Sequence, residues 1–203
     1  MFLYENTIKM NKGRLEAFSD GVMAIVITIM VLELKVPHGT ELRDVLPLLP
    51  VFLAYALSFI YVGIYWNNHH HLFQAVNKVN GTILWANLFL LFCLSMLPFA
   101  TGWMGENHLD ELPVFFYGFV LFMCSLAWWL LVKIITKEKH NHKLKETLVR
   151  DSRMRITLGI YAASTIIAFF VPIVSCIIYA LVAFYWFIPD RRIERTIGEG
   201  EKD

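Results

Sequence analysis

Charge is what this sequence has least of. Only 17% of its 203 residues are Asp, Glu, Lys or Arg, and 57% are hydrophobic. An average soluble domain is about 25% charged and about 45–50% apolar. The formal net charge of +1 excludes bulk attraction to nucleic acid. Cysteine is scarce too: Cys93, Cys124 and Cys176 all fall inside apolar runs. That excludes a disulfide framework and a zinc ribbon. The first residues lack the charged-then-apolar layout of a cleaved signal peptide. No nucleophile motif, glycine-rich phosphate loop or pair of catalytic carboxylates is present, and the loops are too short to hide a catalytic domain. Internal repeats and low-complexity segments are absent as well. The sequence therefore does not read as an enzyme.

What fills the chain instead is a succession of apolar stretches long enough to cross a bilayer. Approximate spans are 14–36, 47–68, 82–102 and 113–135, with Pro98 expected to kink or end the third early. From Ile156 to Pro189 no residue is charged. One helix of that length would reach about 51 Å against a hydrocarbon core of about 30 Å. Pro172 sits near its centre, so two short spans, 156–171 and 173–189, are expected. A re-entrant hairpin is the alternative. The fold class is all-α: one polytopic domain, residues 1–203, with six transmembrane helices.

Charge placement orients it. Lys9, Lys12 and Arg14 precede the first span. Lys137, Lys139, Lys143, Lys145, Arg150, Arg153 and Arg155 precede the fifth, and Arg191, Arg192 and Arg195 follow the sixth. The loop from Glu106 to Glu111 has no Lys or Arg. The positive-inside rule puts both termini in the cytoplasm and makes the number of crossings even. The basic loop could also hold anionic lipid head groups, although topology alone accounts for it. Trp103, Trp128, Trp129, Trp186, Tyr185 and Tyr61 read as interface aromatics or packing.

Arg14, Phe18, Ser19 and Asp20 open the first span. A carboxylate near the middle of a membrane helix costs about 2.5–3.5 kcal/mol on insertion scales, and less toward an interface. Such groups need partners within the protein. The second span runs back to the same membrane level, bringing Trp66, Asn67, Asn68, His69, His70 and His71. A network of Arg14, Ser19 and Asp20 with Trp66, Asn68 and a histidine is expected. Metal binding by His69–His71 is disfavoured, because adjacent helical residues diverge by about 100° and helical metal pairs sit at i and i+4. His140 and His142 have no carboxylate or cysteine in ligand spacing. Seven histidines split between two sides of a membrane suit no di-iron centre. Hydrogen bonding and interfacial anchoring is the simpler role, with proton sensing a further option.

Beyond Asp20, Ile25, Ile29, Leu32 and Val36 fall on one stripe, and Asp20 lies about 140° round from Ile25. By itself such a stripe on a membrane helix is lipid-facing or packed. The pattern Arg-x-x-x-Phe-Ser-Asp at the head of a first membrane helix, however, resembles the endosomal/lysosomal potassium channel family, transmembrane protein 175, and in particular its single-repeat prokaryotic members. Span number and orientation agree along nearly the whole chain. The resemblance implies a potassium-permeable, leak-type cation channel in a prokaryotic plasma membrane. One repeat cannot surround an axis alone, so it also implies a homotetramer in the bilayer, with no cofactor beyond permeating potassium and no bound metal. It implies that the first helix lines the pore. Ile25, five residues after the motif's Asp20, would form the narrowest ring, with further rings at Ile29 and Leu32 and a hydroxyl ring at Thr28. Arg14, Phe18, Ser19 and Asp20 would position that helix. Glu33 could add charge at the outer mouth or be an interfacial carboxylate. The chain has no Thr-Val-Gly-Tyr-Gly loop, so selectivity by rings of backbone carbonyls is unavailable. A small proton-coupled secondary transporter using Asp20 is the alternative. Such carriers show inverted repeats and broken helices near the midplane, to which only Pro98 and Pro172 point.

Overall fold

The computed structural model describes residues 12–138 and 152–187. All its regular elements in that range are helical. Helix α1 (Lys12–Leu32) buries Leu15, Ser19, Met23, Val26 and Met30, spaced by four, four, three and four, so one stripe faces the rest of the protein. It ends before Val36 because Pro37 disfavours helical backbone in the residue ahead of it. The Leu34 N–H closes the last turn on the Val31 carbonyl at 3.2 Å.

A short helix, α2 (Leu42–Val45), is capped reciprocally by Glu41 and Asp44. One 3-10 turn (Leu46–Leu48) leads from it into α3 (Leu49–Gln74). Helix α3 is about 39 Å long at about 1.5 Å per residue. It runs past the expected end at Asn68 and carries His69–His71 within its last turns. A cluster of polar residues reads as a helix end in sequence, but nothing here breaks the backbone ladder. The Lys12 ammonium also reaches the carbonyls of Gln74 and Val76, each at 3.3 Å, and so caps α3's C-terminus with a cation.

The third span is two rods, α4 (Gly81–Ser95) and α5 (Leu97–Glu106), broken at Met96. Pro98 stands at the second position of α5, where its missing N–H does least harm. Asn80 caps α4, its side-chain oxygen accepting from the Ile83 N–H at 2.9 Å. The turn into α6 (Glu111–Lys137) places His108 and Leu109 at φ 51° and 64°, in the left-handed region. There the Leu109 N–H reaches back to the Met104 carbonyl at 3.2 Å, closing the end of α5.

Helices α7 (Arg153–Ile167) and α8 (Pro172–Phe187) are the two short rods expected around Pro172, which starts α8. The first ends at Ile167, four residues sooner than expected, and residues 168–171 make the turn. Lys139, His140, His142, Lys143, Lys145, Arg150, Lys9, Arg191, Arg192, Arg195 and the end of the sixth span lie outside the described residues.

Among the described residues the chain is thus all-α with six helical spans, four of them long and apolar enough to cross a membrane. Helix α1 packs on α3, α4 and α5, whereas α7 and α8 pack on α6, and α8 reaches α3. Tyr61, Tyr117 and Tyr179 are among the largest fully buried side chains. At Gly118 an added Cβ would fall on the Tyr179 hydroxyl, and at Gly105 it would stand 2.7 Å from the Val51 Cα. Gly105 lets α5 approach α3 as closely as small residues allow in membranes, and Gly118 makes room for the Tyr179 side chain. The outer surface is apolar, with Trp85, Phe92, Phe170, Leu181 and Phe184 exposed. That suits lipid as the surrounding solvent.

Candidate functional site

The polar groups at the head of α1 form two separate systems. Ser19 lies four residues after Leu15, and its hydroxyl donates to the Leu15 carbonyl at 2.9 Å. The same oxygen accepts from Asn87 Nδ2 at 2.9 Å. Asn87 Oδ1 stands 2.9 Å from His69 Nε2. An amide oxygen only accepts, so His69 carries its proton on Nε2. Ser19, Asn87 and His69 are 0%, 1% and 1% exposed. This chain crosses from α1 through α4 to α3 and satisfies each buried group within the protein. The His69 ring further packs on Phe73 with centroids 4.5 Å apart.

The second system is exposed. Trp66 Nε1 donates to Asp20 Oδ1 at 3.0 Å. The Trp66 indole stacks on His70 with centroids 6.0 Å apart and planes 17° from parallel. His70 Nε2 pairs with Gln74 Nε2, one turn on, at 2.8 Å. The three adjacent histidines therefore do not converge on one ion: His69 faces Asn87 and His70 faces Gln74. Among the described residues no group of three or more His, Cys, Asp or Glu side chains stands close enough to hold a metal.

Two residues expected in a single network lie apart from both systems. Asn68 turns back to donate to the Ile64 carbonyl at 2.8 Å. It borders a cavity of about 30 Å³ with Tyr61, Tyr65, Ser125, Trp128 and Tyr161. Arg14 is exposed, as is Phe18. Asn87 went unnoticed in the sequence, although a lone amide inside the apolar third span was signal enough: such a group needs a partner.

Among the described residues, little covers the opposite face of α1. Ile25, Ile29 and Leu32 are 59%, 42% and 76% exposed. Thr28 is exposed among them and donates its hydroxyl proton to the Ala24 carbonyl at 2.9 Å. Its oxygen lone pairs thus point away from its own helix bond. Val36 lies beyond the helix end and does not extend the stripe. Past Leu32, the Lys35 ammonium pairs with Glu106 and ties the chain after α1 to the end of α5. Glu106 raises the Lys35 pKa above its ordinary value of 10.5, by hydrogen bonding first and by charge second.

A potassium channel of Chryseobacterium sp. (strain P1-3) is 54% identical over 191 residues, which cover 94% of this chain and 100% of the relative. The family model described as endosomal/lysosomal potassium channel TMEM175 matches residues 14–98, from the motif in α1 to the first residues of α5. This chain belongs to the TMEM175 family. A relative from Streptomyces collinus, also named a potassium channel, is 30% identical over 188 residues, 86% of this chain and 90% of that one. The crystal structure of a lysosomal potassium-selective channel TMEM175 homolog from Chamaesiphon minutus superposes with a TM-score of 0.74 at 28% identity, covering 86% of this chain and 95% of that one. TMEM175 proteins are ion channels rather than enzymes, in agreement with the missing catalytic groups.

Proposed function

We propose that this chain forms a potassium-permeable channel of leak type as a homotetramer, with α1 of each copy lining a central pathway. The observation that carries this is the division of α1 into two faces. One face, from Leu15 to Met30, is buried on α3, α4 and α5. The other presents Ile25, Thr28, Ile29 and Leu32, all exposed among the described residues. Four copies around an axis would turn those residues into stacked rings. A narrow ring of Ile25 excludes the hydration water of an ion and gates by dewetting. The Thr28 hydroxyls spend their protons on their own helix and leave oxygen lone pairs for a cation. Ser19 with Asn87 and His69, and Asp20 with Trp66 and His70, would hold the lower half of α1 in register. Arg14 and Phe18, both exposed, would meet a neighbouring copy or lipid. Potassium is the permeant ion and no cofactor takes part. The bacterial relatives favour a prokaryotic plasma membrane, and the charge pattern favours cytoplasmic termini. Because the family consists of channels, Asp20 is assigned a positioning role rather than that of a carrier's proton site.

The test is potassium-gradient flux in liposomes, wild type against Ile25→Asn at matched protein. Fast, valinomycin-independent flux whose sodium discrimination changes with the substitution is expected. A conducting wild type whose conductance and ion preference are untouched by Ile25→Asn would remove Ile25 from the pathway. No passive flux from folded wild type would remove the channel reading.

A further inference from the structure

The lower half of α1 is anchored through Ser19, but the upper half has no comparable side chain. Between Thr28 and Glu33 every residue of α1 and its end is apolar. Met30 is the buried one at that level, 2% exposed. Its sulfur lies 3.9 Å from the Thr101 hydroxyl oxygen on α5. Thr101 is not an isolated group. Its oxygen lies 2.6 Å from the Leu97 carbonyl and 2.7 Å from Ser58 Oγ on α3. Ser58 Oγ in turn lies 2.9 Å from the Tyr117 hydroxyl on α6. All three side chains are buried.

Each hydroxyl has one proton, and the carbonyl at the end can only accept. The sequence of donations is therefore fixed: Tyr117 to Ser58, Ser58 to Thr101, Thr101 to Leu97. The Thr101 proton goes to Leu97, so Met30 meets the oxygen as a packing neighbour. This chain joins α6, α3 and α5 at one level, one turn beyond the Met96 break. A helix that restarts after a break has no continuous backbone ladder to α4, so its angle must be set by side chains. Here the Thr101 hydroxyl bonds Ser58 of α3, and Met30 packs against its oxygen.

We infer that Thr101 is a positioning residue for permeation: its hydroxyl, held by Ser58 and Tyr117, fixes α5 beneath Met30 and so sets how far Ile29 and Leu32 project from α1. The inference rests on the channel reading above. Thr101→Val keeps the shape, removes the proton donor and leaves the Ser58 hydroxyl without its acceptor. Thr101→Ser keeps the hydroxyl.

The experiment is the bi-ionic reversal potential of purified tetramers in planar bilayers, which gives the potassium-to-sodium permeability ratio independently of protein amount. Thr101→Val should change that ratio at least about twofold, the scale on which remote packing changes act. Thr101→Ser should keep the wild-type ratio. A conducting wild type with an unchanged ratio in Thr101→Val overturns the inference and leaves the channel reading standing. Loss of the ratio in Thr101→Ser as well overturns it too, since the methyl rather than the hydroxyl would then matter. A wild type that conducts no potassium removes the channel reading itself, and this inference with it. If Thr101→Val does not assemble, Ser58→Ala decides. It should shift the ratio in bilayers, and an unchanged ratio overturns the inference.

Discussion

Ser19 and Asp20 are neighbours in the chain but bond in opposite surroundings: the Ser19 oxygen accepts from buried Asn87, and the Asp20 carboxylate accepts from exposed Trp66. Their energetic weights should differ accordingly. Asn87→Leu strands the Ser19 and His69 groups in a water-free interior and should destabilise the protein by about 1–3 kcal/mol. Trp66→Phe leaves Asp20 able to turn to water and should cost about 1 kcal/mol or less. Unfolding in mixed micelles titrated with a denaturing detergent measures both. Equal losses would contradict the separation into a buried and an exposed system.

Thr28→Val removes an oxygen at nearly constant volume. The hydroxyl is exposed and bonds only its own helix, so stability should change by less than about 1 kcal/mol. Conductance should fall and potassium preference weaken if the oxygen faces the ion path. Single-channel recording beside a thermal melt separates the two effects. An unaltered conductance would leave Thr28 facing lipid or a neighbouring helix.

Gly118→Ala places a methyl where the Tyr179 hydroxyl stands. Forcing α6 and α8 apart should cost about 1–3 kcal/mol, the range for overpacked sites. Combining it with Tyr179→Phe removes the oxygen in the way and should return part of that loss. Melts of the two single variants and the double variant form the cycle that tests it. Full additivity would mean the collision is absorbed elsewhere.

Lys35 and Glu106 make an exposed pair with a raised lysine pKa. A raised pKa means the folded state holds the proton more tightly. The contribution is therefore complete below the ordinary value of 10.5 and is lost as pH rises through the folded-state value. No change in stability from this pair is expected between pH 6 and 9, and a decline should appear only in strongly alkaline buffer. Lys35→Met should flatten that alkaline decline, and about 1 M salt should weaken the wild-type contribution. A decline that persists in Lys35→Met would belong to another group.

Breaks and faces were legible in the sequence, and pairings were not. Pro98 and Pro172 announced their interruptions because proline acts on the local backbone alone. The α1 stripe was legible because helical periodicity is also local. Helix α3 continues through His69–His71, past the span boundary read at Asn68, because His69 meets a buried amide of α4 there. Asn87 and Asn68 show the same limit from both sides. Which amide joins Ser19 depends on how α3 and α4 pack, and one side chain's chemistry does not reveal that. One polar network was expected around Ser19 and Asp20, whereas the structure divides them: Ser19 bonds Asn87 and Asp20 bonds Trp66, because the two leave the helix in different directions.

The buried polar side chains among the described residues are serines, threonines, an asparagine and one histidine. Not one is an Asp, Glu, Lys or Arg. An electric field across the membrane does work on a displaced charge, about 2.3 kcal/mol per elementary charge per 100 mV. Among the described residues no buried side chain carries a fixed charge for such a field to push. Voltage then acts on the permeating ions and leaves the described interior alone, so current should rise in proportion to driving force with no threshold.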